Sequence, residues 1–546
     1  MANETGVAVG SAAGAGSDVA SDGLTRDAGF VGLLFTSEGS IIGSGWLFGA
    51  LAVSTIGGPA AVLAWIIGSV VVILLALVHA ELGGLFPVSG GTARFPHYAF
   101  GNLAGATFGW ISWLQAAGTA PIEVEAAITY SSNWVHGLTV PSTGVLTPLG
   151  FLVATVLMGL FTVINLYGIR RVMQFNNAIT TWKIAIPVLT ILVLVFTHFD
   201  KSNFTSHGFA PYGTKGVLEA VSLGGAVFSL VGFEQAVQLG GESRNPQRDI
   251  PRAVIGSMII GAIIYLALQV VFIGALPHSA IAHGWEHLTF AGDRGPFAGL
   301  ATGLGLGWLA WILYTDAIIA PIGTSLVYTT TSARITFGMS KNGQVPVAFE
   351  KTTARHQVPL VGLVFAFAMG LILFLPFPSW QKLVGFITSA TVLMYAGAPL
   401  ALGALRKQKP DVPRPFRLKA AWLWSPAAFI AANWVIYWTG WDIDWKLYVA
   451  VLFGYVLMGA SRILHLNPVR PPMDWESAIW LFPYLAGMAL ISYLGQFSGG
   501  RNDIPFYWDM VVVAAWSLIV YFVAMRFRLP VQQVDEYAKD VFPVES

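Results

Sequence analysis

Long apolar runs recur along the chain with little polar alternation inside them. They fall near 29–54, 59–82, 102–132, 148–168, 175–197, 215–240, 251–275, 300–334, 359–376, 381–404, 421–440, 446–464, 475–495 and 509–526. Each approaches the roughly 20 residues that cross a ~30 Å hydrocarbon core. The pattern predicts an all-α integral membrane protein of about fourteen spans. An even number of spans puts both ends of the chain on one side. A basic, Pro-containing stretch at 406–420 separates a ten-helix core over 26–405 from four further helices over 421–528. The ends, 1–25 and 529–546, read as tails. The first is rich in Ala, Gly and Ser, which favours disorder, and it lacks the basic start of a secretory signal.

Two runs are interrupted. The first contains Glu38-Gly39-Ser40-Ile41-Ile42-Gly43-Ser44-Gly45-Trp46, with glycine and serine at mid-membrane depth. Glycine costs about 1 kcal/mol in a helix interior, and freed backbone is tolerated only inside protein or along a wet cavity. A half-helix beginning at Gly43-Ser44-Gly45 would turn free N–H groups and its positive dipole end toward an anion. Close packing through small residues explains the same sequence equally well. The sixth run, through Gly224-Gly225 and Gly232-Phe233-Glu234, is interrupted in the same way. Breaks in the first and sixth helices predict two inverted five-helix repeats, about 26–200 and 213–405, with a site between them.

Composition agrees with a membrane: 55% of the 546 residues are hydrophobic and 10% charged, against roughly a quarter charged in soluble domains. A net charge of +1 gives no basic face for nucleic acid. Zero cysteines exclude thiolate metal sites and a cysteine nucleophile. No metal-ligand spacing or nucleophile–base motif appears, so no metal, cofactor or enzymatic activity is expected. His79 and Glu81 lack the second histidine of a zinc-protease helix, and a pairing with Arg94 is the expectation for that acid. Gly303-Leu304-Gly305-Leu306-Gly307 follows no strand, so it is not read as a dinucleotide loop. With the N-terminus inside, the predicted outer loops hold only Lys201, Lys215, Arg294, Lys382, Lys446 and Arg501. The inner side holds Arg170-Arg171, Arg244, Arg248, Arg252 and the 406–420 cluster. This predicts cytoplasmic termini in a cell (inner) membrane.

Ionisable groups inside spans cost at least ~2.5–3.5 kcal/mol and need a reason. Lys183 lies about 12 Å along the fifth span at ~1.5 Å per residue. It is either a snorkelling side chain or a carrier that loads and releases a proton. Glu38, Glu123, Glu125, Glu234 and Asp316 form the acidic set. Glu123 and Glu125 are about 200° apart on one helix, so only one can face a site, and the other is expected near outer water. Glu234 fits proton sensing or an amine contact, and Asp316 a partnership with Lys183. An internal ion pair or hydrogen bond without a transport role is the competing explanation for each acid.

Gly43-Ser44-Gly45-Trp46-Leu47-Phe48, Gly232-Phe233-Glu234 and Gly241-Glu242-Ser243-Arg244-Asn245-Pro246 through Ile250-Pro251 resemble motifs of the amino acid–polyamine–organocation superfamily of permeases. Gly208-Phe209-Ala210-Pro211, Leu306-Gly307-Trp308-Leu309-Ala310 with Asp316-Ala317-Ile318, and Pro376-Phe377-Pro378-Ser379-Trp380 are similar to its bacterial aspartate–proton symporter group. The likeness runs from about 28 to 525. It implies a LeuT-type fold with alternating access and a proton-coupled amino acid symporter. It implies that Gly43, Ser44 and Gly45 hold a substrate carboxylate. Carbonyls near Ile41, Phe228 and Ser229 would take the amino group beside Val231, with Phe228 closing over the site. Some proton-coupled members carry a helix-five lysine where sodium-coupled relatives bind sodium, and Lys183 stands correspondingly. Lys183, Glu234 and Asp316 are thus the coupling candidates, with Glu38 and Glu123 as additions. The expected partners are an amino acid, acidic or neutral, a proton and the bilayer. An amino acid or amine exchanger, or a channel or membrane sensor, is the alternative.

Overall fold

The computed structural model describes residues 28–88, 90–140, 143–167, 169–290, 292, 295–353, 357–375 and 379–539. The expected tail over 1–25, Arg294 and Pro376-Phe377-Pro378 lie outside these, as do the side chains of Arg170 and Arg171. The described residues are helical, with only isolated bridges between extended segments. The first predicted span is two helices, α1 (Phe30–Ile41) and α2 (Ser44–Gly57), followed by α3 (Ala61–Leu85). A short, largely buried helix, α4 (Gly91–Phe100), leads into α5 (Asn102–Ser131), α6 (Pro148–Asn165) and α7 (Ile169–Thr197). The sixth span is in three pieces, α8 (Gly213–Ser222), α9 (Ala226–Ser229) and α10 (Glu234–Gln238). After them come α11 (Pro246–Ala275), the short α12 (His278–Ile281) and α13 (Pro296–Gly303), then α14 (Gly307–Lys341), α15 (Leu360–Leu373) and α16 (Trp380–Gln408). The last part holds α17 (Ala421–Thr439), α18 (Trp441–Ile463), α19 (Leu481–Leu494), α20 (Trp508–Phe527) and α21 (Val531–Tyr537).

Among the described residues, eight helical segments are long and apolar enough to cross a membrane. The apolar stretch of α16 is wholly buried, packed against α3, α4, α5, α17 and α18. Leu152, Val156, Phe196, Val364 and Val456 lie exposed on the perimeter, where apolar surface suits lipid. Buried polar pairs tie the last helices together: Asn433 donates to Ser517 (2.9 Å) and accepts from Tyr484 (2.6 Å). Asp444 accepts from Ser389 of α16 (3.2 Å) and Ser492 of α19 (2.8 Å), joining the late helices to the core.

The face that carries both described ends is heavily cross-tied. Ala28 pairs in parallel with Ser243: its N–H donates to the Glu242 carbonyl (2.9 Å) and its carbonyl accepts from Arg244 N–H (2.9 Å). The Glu242 side chain in turn pairs with Arg334 at the end of α14. α21 docks here too, through an ion pair of Asp535 with Lys409 and a Tyr537 hydroxyl that donates to Asp474 (2.9 Å). The same Asp474 carboxylate accepts from Asn102 N–H (2.8 Å), a cap for α5 supplied from far along the chain.

The expected Glu81–Arg94 pair is not what forms. Glu81, fully buried at the end of α3, takes a bidentate grip from Arg406 (2.9 and 2.6 Å), an ion pair with Arg414 (3.0 Å) and the Leu418 N–H (2.7 Å). Arg94 instead lies over the Tyr98 ring at 5.4 Å. A carboxylate without solvent needs several donors, and the basic stretch supplies three where one arginine on α4 supplies fewer. The 406–420 segment is therefore clamped to α3. Glu81→Ala should cost about 3 kcal/mol by stranding two arginines. Thermal unfolding in detergent reads this, and an unshifted midpoint would reject the clamp.

Candidate functional site

The break between α1 and α2 is local in origin. Ile42 N–H still bonds the Glu38 carbonyl (2.8 Å), but Gly43 N–H turns back to Ile41 (3.1 Å), and the helix restarts at Ser44. The sixth span breaks at Gly225, whose φ of +86° favours glycine, and again at Gly232, with φ +139°. The two breaks press together. A Cβ on Gly45 would lie 2.5 Å from Ser229 Oγ, and one on Gly232 would lie 2.6 Å from Ile41 N.

Between them is a small cavity lined by Ser40, Ile41, Gly43, Gly45, Thr119, Glu123, Phe228, Ser229, Val231, Thr324 and Tyr328. Its free space of about 10 Å³ holds about one water, so the site is shut. A larger opening, lined by Lys215, Glu219, Gln496 and Asn502, lies at the surface away from these groups and has no part in the site.

The anion-seeking helix start is occupied from within. Ser44 N–H donates to Glu123 Oε2 (2.7 Å) and Ser44 Oγ to Glu123 Oε1 (3.0 Å). The carboxylate stands at the terminus where N–H groups and helix dipole favour one. Trp380 Nε1 donates to the same Ser44 Oγ (2.9 Å).

Lys183 is fully buried. Its ammonium donates to the Gly39 carbonyl (2.5 Å) and to Thr324 Oγ1 (2.8 Å), and Thr324 itself donates to Gly39 (3.1 Å). This ties α7 to the last turn of α1 and to α14. Glu123 and Asp316 lie within electrostatic reach of the ammonium. Asp316 makes no direct hydrogen bond to Lys183 and meets it through charge alone: it accepts from Trp46 Nε1 (3.1 Å).

The other acids separate by surroundings. Glu123 faces the cavity, and Glu125 is buried rather than near outer water, because the whole middle of α5 is packed. Glu234 does not line the cavity: it accepts from Gly232 N–H (2.9 Å), Tyr328 (3.0 Å), Tyr395 (2.5 Å) and Gln235 (3.3 Å), and so holds the second break in shape. Glu38 is fully buried on the last turn of α1 and neither carboxyl oxygen has a hydrogen-bond partner. Of the carbonyls assigned to an amino group, Ile41 accepts from Tyr265 (2.7 Å) and Phe228 from Val231 N–H (3.1 Å). Thr119, Tyr328, Tyr265 and Trp380 join the site without having been singled out as site residues from sequence. Only Trp380 stood in a recognisable motif, and none showed a local signal of this role.

A multi-pass bundle of apolar helices with a closed polar cavity at two facing helix breaks defines a membrane protein with an internal small-molecule site. Residues 29–457 match the family model described as amino acid permease. The chain is 36% identical to the glutamate/serine transporter AimA of Bacillus subtilis (strain 168), over 96% of this chain and 97% of that one. It is 34% identical to the aspartate-proton symporter of the same organism, covering 92% and 96%. The branched-chain amino acid permease BcaP, also from that strain, is 26% identical over 80% and 92%. The chain belongs to the amino acid permease family.

Proposed function

We infer that the chain is a secondary active transporter, a proton-coupled amino acid symporter that works by alternating access. It has fourteen spans in a LeuT-type arrangement, with repeats at about 26–200 and 213–405, and cytoplasmic termini in the cell membrane. The observation that carries this reading is Lys183, whose ammonium bridges the broken α1 and α14 through Gly39 and Thr324. A charged donor makes the stronger bond, so losing the proton weakens the tie between these helices. The balance between outward- and inward-facing states shifts by the difference in interaction energy.

Substrate and proton couple when both bias that same element. Here the link is Glu123, which holds the Ser44 N–H and lies within reach of Lys183. An entering substrate carboxylate competes for the Ser44 terminus, and displacement of Glu123 changes the field at the ammonium. Glu234 supports the second break, while Asp316 contributes negative charge near Lys183.

The relatives' names point to acidic and small neutral amino acids. The cavity offers the hydroxyls of Thr119, Ser229 and Tyr328, and among the described residues no lysine or arginine lines it. These hydroxyls already donate to Gln115, Gly225 and Glu234, so they favour a small side chain that can donate to them, such as serine's, while a second carboxylate would have to displace one of those bonds. Uptake of labelled serine, aspartate and glutamate into proteoliposomes tests the reading. Accumulation is expected under an inward proton gradient and is indifferent to sodium. Uptake that requires amino acid on the opposite side identifies an exchanger instead, and competition by diamines alone rejects an amino acid substrate.

A further inference from the structure

Trp380 ends the Pro376-Phe377-Pro378-Ser379-Trp380 motif and begins α16, yet its side chain belongs to the two breaks. The buried indole donates to Ser44 Oγ (2.9 Å). Its ring lies against Phe48 (4.9 Å between centroids) and meets Phe228 edge-on (6.2 Å, 88°). A Cβ on Gly225 would be 3.6 Å from the same ring. Phe48 is backed by Tyr130 at 5.1 Å. One side chain therefore touches the start of α2, the break before α9 and the residue expected to close over the substrate.

Direction follows from the chain. α1 begins at the face that carries both ends, so α2 leads from the break toward the opposite face, and Phe48 is one turn further along it than Ser44. The indole, packed against Phe48 and Phe228, lies on that opposite side of Ser44. The near side is shut by different groups, the Ala28–Ser243 bridge and the Arg334–Glu242 pair.

We propose that Trp380 is the positioning residue that closes the substrate site toward the face opposite the termini, docking on Ser44 when that side is shut and leaving it when that side opens. The closure rests on the transport reading and adds a sensing element to it. Ser44 Oγ donates to Glu123 while it accepts from Trp380, and a hydroxyl that donates to a carboxylate is the better acceptor through mutual polarisation. Trp380 is therefore held best when a carboxylate, internal or from a substrate, occupies the Ser44 terminus. An empty terminus releases it.

The chain contains no cysteine, so Ser229→Cys places a single thiol among the cavity-lining residues, and retained serine or aspartate uptake by this variant is checked first because Ser229 is itself a binding candidate. A small membrane-impermeant cationic thiosulfonate is applied to right-side-out and inverted vesicles. In the Ser229→Cys background, Trp380→Ala should raise the labelling rate from the face opposite the termini at least about tenfold and lower it from the other face, since the ring's packing is lost. Trp380→Phe keeps a ring and loses only the N–H, so its rate should rise about fivefold, the loss of one hydrogen bond. It also serves if the alanine variant does not fold. Unchanged rates in both variants, or equal increases from both faces, overturn the proposal, because general loosening has no sidedness. Saturating serine and aspartate are tested separately for protection of the thiol when Trp380 is intact. Absence of protection by either counts against the transport reading, whereas the sided effect of Trp380 stands or falls on its own.

Discussion

Lys183→Ala should abolish gradient-driven accumulation while leaving substrate binding measurable. The ammonium is the group that bridges Gly39 on α1 and Thr324 on α14, and alanine reaches neither. The proton-bearing bridge between those helices is then lost, so a pH difference across the membrane no longer biases them through it. Binding should persist because Ser44 and its neighbours are untouched. Thr324 still reaches the Gly39 carbonyl in the absence of the amine, which preserves the last turn of α1. Proteoliposome uptake should fall to equilibration of the label, with calorimetric binding retained in monodisperse protein. Full accumulation by the variant, or sodium-driven uptake by the unaltered chain, would make Lys183 an ordinary buried lysine and remove the coupling mechanism.

Gly45→Val should eliminate substrate binding in a chain that still inserts in the membrane. The added Cβ would lie 2.5 Å from Ser229 Oγ, 2.8 Å from its Cβ and 2.9 Å from its Cα. A side-chain oxygen can rotate away, but the Cα can move only with the broken sixth span. The two breaks must then separate, at a cost of about 1–3 kcal/mol for overpacking and with the cavity between them distorted. Binding should weaken by more than about a hundredfold, since positioned groups tolerate little displacement. Gly338→Ala is the control, because nothing lies within 4 Å of its Cβ position. Wild-type affinity in a monodisperse Gly45→Val protein would rule out the paired breaks as the binding site.

The sequence disclosed what is periodic or locally costly. Apolar runs declare buried helices because nothing else satisfies backbone in lipid. Glycines at Gly43, Gly45, Gly225 and Gly232 declare the breaks because an intact helix would have little use for them. Lys183 stood out because a cation in a span demands a partner. Pairing across the fold was not legible in the same way. Ser44 meets Trp380, and Glu81 meets Arg406 and Arg414, at separations along the chain that carry no periodic signal. Glu123 and Glu125 point to different sides of α5, as their spacing requires, but spacing does not say which one faces Ser44, or that both are buried. α4 was missed because its ten residues are too few and too polar to register as a span, and Pro96 lies within it. The run near 475–495 begins as turns and becomes helical only at Leu481, an apolar stretch folded against neighbours before it turns helical.

The pairing of Ala28 with Ser243 has a mechanical consequence. The backbone just ahead of α1 is stitched by two hydrogen bonds to the segment whose Glu242 grips Arg334. A pull on the polypeptide at Ala28 would load those bonds in shear and act on α1. Ala28 is thus a handle on α1. Tension applied there by a tethered bead, measured against uptake, would turn the protein into a force gauge of its own opening.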